Sequence, residues 1–353
     1  MTSIFDLETP VVLVDLDRTE ANLRHAQDAA DSAGIKLRPH IKTHKLPFFA
    51  RRQVELGAAG ITVQKLGEAE VMADAGLADL LLTFNIVGER KRARLKALHD
   101  RVTIRVVADS GETVDGLART FRDPARPLGV FVECDTGMGR CGVQSPEAAL
   151  ELAKRIGSAP GLSFAGLMTY PAAGRYREAA QWLATAKERL EAGGVPVPEI
   201  TTGGTPDIWH MGEAGVATEY RPGTYIYMDR SQVAAGAATF GQCALTVLAT
   251  VVSRPTDGRA IIDAGSKALT SDLLGLEGHG YVLDFPEARI TGLSEEHGTL
   301  DVSACAVKPR IGDTVRIVPN HCCPVSNLFD TVTLVRGDEV VEVVPVAARG
   351  RVD

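Results

Sequence analysis

The sequence predicts an α/β fold, in which a (β/α)8 barrel of the TIM type is followed by a C-terminal all-β domain. From residue 11 to about 225, short apolar runs alternate with longer segments of helical periodicity, as expected for a parallel sheet with helical crossovers. About eight such units favour a closed barrel over an open sheet. After about Gly241, short strands separated by Gly, Pro and Asp-Gly turns predict β structure.

The predicted strands follow one another along the barrel region. The segments SPEAALELAKRIG and REAAQWLATAKERLEAG between two pairs of them have the spacing of amphipathic helices. No G-x-G-x-x-G motif follows the first run, which argues against a Rossmann dinucleotide site. We assign residues 10–240 to the barrel, and 241–353 together with 1–9 to the β domain. The apolar runs are 11–16, 36–41, 60–65, 80–85, 102–109, 128–135, 164–171, 199–204 and 219–225.

The composition is that of a soluble protein of enzyme size. The 353 residues carry a net charge of -7 and no basic run, which argues against nucleic acid as a partner. No stretch approaches the roughly 18 apolar residues that a membrane span needs, and the N-terminus lacks a signal-peptide pattern. The six cysteines form no disulfide framework, so we expect a reducing, cytoplasmic location.

The segment RPHIKTHK places two lysines at the end of a predicted strand. Lys42 and Lys45 follow an apolar run that ends at Ile41. A lysine at the end of a buried strand lies in a low-dielectric environment, which lowers its pKa and leaves a neutral amine for a Schiff base. The alternative interpretation is that both lysines are ordinary charges at a strand end.

Other polar and glycine residues fall at the C-terminal ends of the predicted barrel strands, where the active sites of such barrels lie. Late Gly/Thr turns of these barrels commonly bind phosphate through backbone N–H groups. A carbonyl-reactive lysine and a phosphate site on one barrel face suggest pyridoxal phosphate as the cofactor. Besides Lys42, the residues at these ends are His44, Gln64, Arg140, Tyr170, Gly203, Gly204, Thr205, Gly223 and Thr224.

The segment PNHCCPVSNLFD in the predicted β domain contains a candidate metal pair. His321 and Cys323 are two residues apart, so on an extended segment they point to one side and can share a metal ion, whereas Cys322 points away. Two protein ligands leave positions for substrate oxygens and water, which suits a catalytic metal. The alternative is that the adjacent cysteines fill the core. His297 is a further polar candidate.

Together these motifs resemble the fold-type III pyridoxal-phosphate enzymes, and among them the group of D-threonine aldolases and eukaryotic-type D-serine dehydratases. The matching segments occur in the family's order and cover nearly the whole chain. The resemblance implies a cofactor-binding barrel, a C-terminal β domain, and a homodimer whose active sites are completed at the interface. The segments are ETPVVLVDLDRTEANL, RPHIKTHK, GITVQKLGEAE, VFVECDTGMGRCGV, TTGGTP, RPGTYIYMD, IIDAGSKA and VPNHCCPVSNLFD.

The resemblance also implies a role for each matching residue of the barrel. Lys42 is similar to the lysine that forms the Schiff base, with Lys45 as the alternative. Arg140 is similar to the arginine that contacts the phenolic oxygen of the cofactor. Arg221 is similar to the arginine that faces the pyridine nitrogen and keeps it unprotonated. Phosphate-binding turns are implied at Gly203, Gly204, Thr205, Gly223 and Thr224, and positions beside the ring at Gln64 and Tyr170.

Two departures from the family pattern bear on the reaction. His321 and Cys323 match the family's His-x-Asp or His-x-Cys pair for a divalent metal. The cysteine favours zinc over manganese or magnesium because it is the softer ligand, and it is commoner among the dehydratases of the group. After Tyr170 the chain reads PAAGRYR, without the histidines that some of the aldolases carry there. His297, Tyr176 or a metal-bound water are the alternatives for the missing base.

The sequence therefore predicts a pyridoxal-phosphate- and metal-dependent lyase that acts on β-hydroxy-D-amino acids. Deprotonation of the substrate hydroxyl breaks the Cα–Cβ bond and releases glycine and an aldehyde, whereas removal of the α-proton expels the hydroxyl as water. We expect the first reaction, that of a D-threonine aldolase. A D-serine or 3-hydroxyaspartate dehydratase and an amino-acid racemase are the alternatives. The β domain with its metal pair argues against a non-enzymatic cofactor carrier.

Overall fold

The computed structural model describes residues 2–353, which divide into two compact units. We call them the barrel unit (His25–Lys42, Pro47–Gly223 and Arg351–Asp353) and the β unit (the chain up to Arg24, Thr43–Leu46 and Thr224–Gly350). The first strand, β1 (Val11–Asp15), lies in the β unit, and the division falls inside the helix that follows, α1 (Leu16–Ala33).

Eight parallel strands form the sheet of the barrel unit. In chain order they are β2 (Lys36–Leu37), β3 (Ile61–Val63), β4 (Asp79–Leu82), β5 (Thr103–Ala108), β6 (Leu128–Glu133), β7 (Leu162–Met168), β8 (Glu199–Thr202) and β9 (Glu219–Tyr220). Pairing follows the chain from β3 to β9, and β2 pairs with β9. A parallel bridge between His40 and Thr62 joins the two ends of the sheet. The predicted (β/α)8 barrel is confirmed.

Helices pack on the outside of this sheet. They are α2 (Pro47–Glu55), α3 (Leu66–Asp74), α4 (Glu89–His99), α5 (Gly111–Thr120), α6 (Pro146–Gly157) and α7 (Tyr176–Ala192). Ser110 and Ser145 cap α5 and α6 by accepting hydrogen bonds from backbone N–H groups of the first turn. Along each strand, side chains point alternately outwards to the helices and inwards to the barrel interior. A hydrophobic cluster of Leu81, Val107, Phe131 and Met168 fills that interior.

The β unit contains a mixed sheet of nine strands. Besides β1 they are β10 (Leu245–Thr256), β11 (Arg259–Ile262), β12 (Tyr281–Val282), β13 (Arg289–Leu293), β14 (Gly298–Asp301), β15 (Thr314–Val318), β16 (Thr331–Arg336) and β17 (Glu339–Pro345). Strand β1 lies between β10, to which it is antiparallel, and β16, to which it is parallel. Three short helices complete the unit: α8 (Arg230–Ala234), α9 (Ser266–Leu269) and α10 (Cys322–Leu328).

These units differ from the domain boundaries expected from the sequence, which were 10–240 and 241–353 with 1–9. The first apolar run is β1, whose backbone pairs with β10 and β16 and not with the barrel strands. Residues 10–24 therefore belong to the β unit, as do residues 224–240. An apolar run predicts a buried strand, but it does not predict which sheet supplies its hydrogen-bond partners.

The strand expected at 36–41 is shorter than predicted. Strand β2 ends at Leu37, two residues before Pro39, which has no N–H to donate. A 3-10 turn at Ile41–Thr43 follows and carries Lys42. Among residues 2–353, no helix has both the length and the apolar character to cross a membrane.

Candidate active site

Three predicted site residues of the barrel unit meet around one aromatic ring. The Nζ atom of Lys42 lies 5.7 Å from the centroid of the Tyr170 ring. The guanidinium carbon of Arg140 lies 5.2 Å from the same centroid. Lys42 follows β2, Arg140 follows β6 and Tyr170 follows β7, so each lies beyond the C-terminal end of its strand. Active sites of such barrels are built at this end.

Lys45 makes structural contacts in the β unit. Its backbone has a φ of +57°, in the left-handed region that non-glycine residues adopt rarely. Its Nζ donates a hydrogen bond to the carbonyl of Ala348 at 3.4 Å, and the Ala348 N–H donates to the Lys45 carbonyl at 3.1 Å. These contacts give Lys45 a role in holding residues 43–46 to the end of the β unit, and they favour Lys42 as the reactive lysine.

The backbone of Lys42 is supported by two polar side chains. Its N–H donates to Nδ1 of His40 at 3.3 Å, and Nε2 of His40 lies 3.0 Å from Oε1 of Gln64. Because Nδ1 accepts, Nε2 carries the proton and donates to Gln64. The Gln64 amide in turn donates to the Thr83 carbonyl at 2.9 Å. Gln64, expected beside the cofactor ring, thus acts on Lys42 through His40, a contact that the sequence did not predict.

Arg221 is buried and held by two acceptors. Its Nε donates to the Thr201 hydroxyl at 2.8 Å, and a terminal N–H donates to the carbonyl of Thr169. Burial lowers the pKa of Arg221 to about 10, so the guanidinium stays positively charged at neutral pH. It is therefore a fixed cationic donor. One of its two acceptors, Thr169, immediately precedes Tyr170 in the chain.

The two predicted Gly/Thr turns lie side by side. Gly203 has a φ of +95°, and a Cβ there would come within 2.4 Å of the Tyr220 ring, so only glycine fits. The Tyr220 hydroxyl donates to the carbonyl of Gly204 at 3.0 Å. The hydroxyl of Thr205 accepts from the Gly223 N–H at 3.2 Å. This contact joins the turn after β8 to the turn after β9.

Glu133, the last residue of β6, is a titratable group that the sequence did not single out. Its carboxylate is buried and lies 3.5 Å from the amide nitrogen of Asn85. Burial raises its pKa to about 7, Asp109 adds to the increase and Arg140 opposes it. The ligand atoms of Asp109, Glu133 and Cys141 also lie within 4.8 Å of one another. The one signal in the sequence that points to Glu133 is its position as an acidic residue at the end of an apolar strand.

The candidate metal pair lies at the N-terminus of α10 in the β unit, and not on the extended segment expected from the sequence. His321 precedes the helix with extended backbone (φ -142°, ψ 104°), and Cys323 lies in the first turn. Cys323 nevertheless raises the pKa of His321, so the two side chains lie close to each other. Cys322, between them, is fully buried, and its N–H donates to Asp229 at 3.0 Å. The structure therefore brings the two predicted ligands together.

The surroundings of this pair suit a divalent metal. The hydroxyl of Thr43 lies 3.1 Å from the Cys323 sulfur, and that of Thr224 lies 3.8 Å from it. Imidazole and thiolate are donors that zinc prefers. The residues present thus fit the metal that the resemblance implies.

The candidates for the missing base lie in different units. His297 is exposed in the turn between β13 and β14, where its carbonyl accepts from the Ser294 N–H at 2.9 Å. Tyr176 begins α7, and its hydroxyl lies 3.2 Å from Nδ1 of His210, which is 2.8 Å from a Glu213 oxygen. The structure therefore gives Tyr176 a hydrogen-bonded imidazole and carboxylate. The catalytic roles of His297 and Tyr176 stay predictions.

Two protein families match consecutive parts of the chain. Residues 14–231 match "Alanine racemase, N-terminal domain", and residues 244–335 match "Putative serine dehydratase domain". The chain belongs to the alanine racemase-like family. Within it, the chain combines a racemase-type barrel with the second domain of the serine dehydratase type, which confirms the resemblance drawn from the motifs.

Individual relatives match this family member over nearly their whole length. The D-threonine aldolase of an Arthrobacter species is 35% identical over 98% of this chain and 93% of its own. The D-threo-3-hydroxyaspartate dehydratase of a Delftia species is 32% identical over 96% and 97%. The crystal structure of D-threonine aldolase from Filomicrobium marinum has a TM-score of 0.91 and 34% identity, covering 99% and 98%. A metal-free variant of D-threo-3-hydroxyaspartate dehydratase has a TM-score of 0.85 and 29% identity, covering 97% and 98%.

Proposed function

We propose that the protein is a pyridoxal-phosphate- and metal-dependent lyase that cleaves β-hydroxy-D-amino acids, such as D-threonine, to glycine and an aldehyde. The observation that carries the proposal is the meeting of Lys42 and Arg140 at the ring of Tyr170, beyond the C-terminal ends of the barrel strands. The near full-length similarity to a D-threonine aldolase supports this reaction.

The donor set of the barrel unit fits pyridoxal phosphate. Lys42 would supply the amine for the aldehyde and Arg140 a cation for the phenolic oxygen, and the turns after β8 and β9, which the Gly223–Thr205 hydrogen bond joins, would hold the phosphate. When bound, the cofactor withdraws electrons from the substrate Cα and weakens the bonds to that carbon. The chain's contribution is to hold the reacting groups in place, and the His40–Gln64 contact fixes the backbone that carries the amine.

Arg221 sets how strongly electrons are withdrawn. Because its guanidinium is cationic and its donors are directed by Thr201 and Thr169, it would donate to the ring nitrogen of the cofactor and would not share a proton with it as a carboxylate does. The nitrogen then stays unprotonated, which weakens the withdrawal of electrons and limits side reactions such as racemisation. This role agrees with a lyase whose activity depends on a second electrophile besides the cofactor, such as a metal ion.

His321 and Cys323 are the residues that would hold this second electrophile, a divalent metal, with zinc favoured by the cysteine. A metal there supplies Lewis-acid activation of the substrate β-hydroxyl. Thr43 follows Lys42 directly in the chain, and its hydroxyl lies 3.1 Å from the Cys323 sulfur. Lys42, the proposed cofactor lysine, and Thr43, which contacts the proposed metal ligand Cys323, are therefore consecutive residues.

A dehydratase is the second candidate, and two observations favour it. The second metal ligand is a cysteine, which is commoner among the dehydratases that the chain resembles. After Tyr170 the segment PAAGRYR contains no histidine, and its Tyr176 is hydrogen-bonded to the imidazole of His210. If neither group reaches the substrate hydroxyl, loss of the hydroxyl as water is favoured over its deprotonation.

One assay separates these reactions. The holoprotein is incubated with D-threonine, L-threonine and D-serine, and the products are identified. We expect glycine and acetaldehyde from D-threonine alone. A 2-oxo acid and ammonia from D-threonine or D-serine would assign the dehydratase reaction, and conversion between the D and L forms alone would contradict a lyase.

We also infer that the protein is a cytoplasmic homodimer. The resemblance to the fold-type III enzymes supports the dimer, and the six cysteines, none of which forms a disulfide, support a reducing compartment. Sedimentation of the holoprotein should give the mass of two chains. A monomer with full activity would contradict an active site completed at a dimer interface.

A further inference from the structure

The imidazole of His321 has two nitrogens, and the structure commits one of them. Nδ1 lies 2.8 Å from a carboxylate oxygen of Asp272, within hydrogen-bond distance. Because the two ring nitrogens face different directions, Nε2 is the atom left to meet a metal together with Cys323. This inference rests on the proposed function, in which His321 and Cys323 hold the metal.

Asp272 is itself held in place from two directions. It lies three residues after the end of α9, and its N–H donates to the hydroxyl of Thr270 at 3.3 Å. Its backbone carbonyl accepts a hydrogen bond from the amide of Asn320 at 3.1 Å. Asn320 is buried and immediately precedes His321, and Arg230 donates to its side-chain oxygen at 3.0 Å. Two consecutive residues therefore contact the backbone and the side chain of Asp272.

We propose that Asp272 is a positioning residue for the metal site. By accepting from Nδ1–H, it selects the tautomer of His321 in which Nε2 is unprotonated, and it orients the ring so that Nε2 and the Cys323 sulfur converge on one ion. Carboxylates placed behind metal-binding histidines make the ring a better ligand, and their loss lowers metal affinity by roughly 10- to 100-fold.

The test is the zinc affinity of the full chain loaded with pyridoxal phosphate, measured by competition with a chromophoric chelator. Asp272→Ala should lower the affinity by roughly 10- to 100-fold. Asp272→Asn should lower it less, because the amide oxygen still accepts from Nδ1–H. Glu277→Gln is the matched control, since it removes one carboxylate from the same segment, where the side chain is 91% exposed.

Cobalt(II) gives a readout that a merely structural role would not change. The ligand-field bands of cobalt-loaded Asp272→Ala should shift towards those of His321→Ala, while the circular dichroism and the absorbance of the bound cofactor stay as in the parent protein. Asp272→Asn, which is nearly isosteric, keeps the test valid if Asp272→Ala folds poorly: its bands should shift in the same direction, and an affinity and a spectrum equal to those of the parent would overturn the role of Asp272.

Three results would contradict the inference. Unchanged zinc affinity in Asp272→Ala, with clear losses in His321→Ala and Cys323→Ala, would overturn the role of Asp272 and leave the metal site intact. An equal loss in Glu277→Gln would show a general effect of charge instead of positioning. Unchanged affinity in all three site variants would remove the metal site itself and with it this part of the proposed function.

Discussion

At the scale of single residues, the two lysines of RPHIKTHK have different surroundings although they are only three residues apart. Lys42 is half-buried next to the ring of Tyr170, whereas Lys45 is buried and bonded to Ala348. Their position at a strand end does not show which lysine is reactive, because both lysines follow the same strand. The contacts of the folded chain are needed to assign the reactive amine.

Lys42→Ala should therefore remove the visible absorbance of the bound cofactor and nearly all turnover. Lys45→Ala should keep that absorbance, because the contacts of Lys45 hold the chain and not the cofactor. Borohydride reduction followed by peptide mapping locates the pyridoxyl group. A pyridoxyl group on Lys45 would show that the assignment is wrong.

Glu133 should make the stability of the apoprotein depend on pH. Its pKa is about 7 when folded, against 4.5 for the unperturbed group, because of burial. Between these values the folded chain keeps the proton and the unfolded chain loses it, so the stabilisation is complete below the unfolded pKa and is lost as pH rises through the folded pKa. Glu133→Gln should then raise the free energy of unfolding at pH 8 by up to about 3 kcal/mol and change it little at pH 4.5.

Urea denaturation of the two apoproteins at both pH values measures this difference, with the exposed Glu112→Gln variant as the control. An equal effect of Glu133→Gln at the two pH values would contradict a raised pKa for this carboxyl group.

At the scale of elements, a partly buried ion network joins the strands of the barrel. Arg38, with a side chain only 3% exposed, contacts Glu219 at 2.6 Å and Asp79 at 2.7 Å. Arg105 extends the network to Asp79 at 3.3 Å and to Glu199 at 2.7 Å. The three acidic residues each begin a strand, so the network lies at the N-terminal ends of β4, β8 and β9. That end of a barrel serves stability, whereas the opposite end carries the chemistry.

Arg38→Met should accordingly lower the free energy of unfolding by about 3–5 kcal/mol, because it leaves the carboxylate of Glu219 buried without its main partner. The double variant with Glu219→Leu should recover part of this loss, since two apolar side chains replace the pair. Denaturant unfolding of the single and double variants checks both values. A loss below about 1 kcal/mol in Arg38→Met would contradict a structural role for this arginine.

Local patterns predicted the elements of the fold better than the contacts between them. The barrel strands follow from their apolar runs, and Lys42 and Arg140 follow from their places after strands. The partners of β1 were not predictable, because its pairing joins residues more than 200 positions apart. The helix at Cys322 was missed although Pro324 was a signal for it, since proline is tolerated in the first turn of a helix.

At the scale of the whole molecule, two sets of residues have separate proposed tasks. We propose that the barrel residues around Lys42 hold the cofactor and that His321 and Cys323 hold the metal that acts on the substrate hydroxyl. Loss of the metal should therefore leave the cofactor in place and remove the reaction. The same separation distinguishes a metal-dependent lyase from a racemase on a similar barrel, which needs no second electrophile.

The most direct test is to strip the metal from the holoprotein with a chelator and to follow D-threonine cleavage and cofactor absorbance together. We predict that turnover falls by at least about 10-fold, that the absorbance of the bound cofactor stays unchanged, and that added zinc or manganese restores turnover. His321→Ala and Cys323→Ala should reproduce the loss without being restored. Full turnover after exhaustive chelation, or full turnover in either variant, would contradict the central claim that this pair holds a catalytic metal.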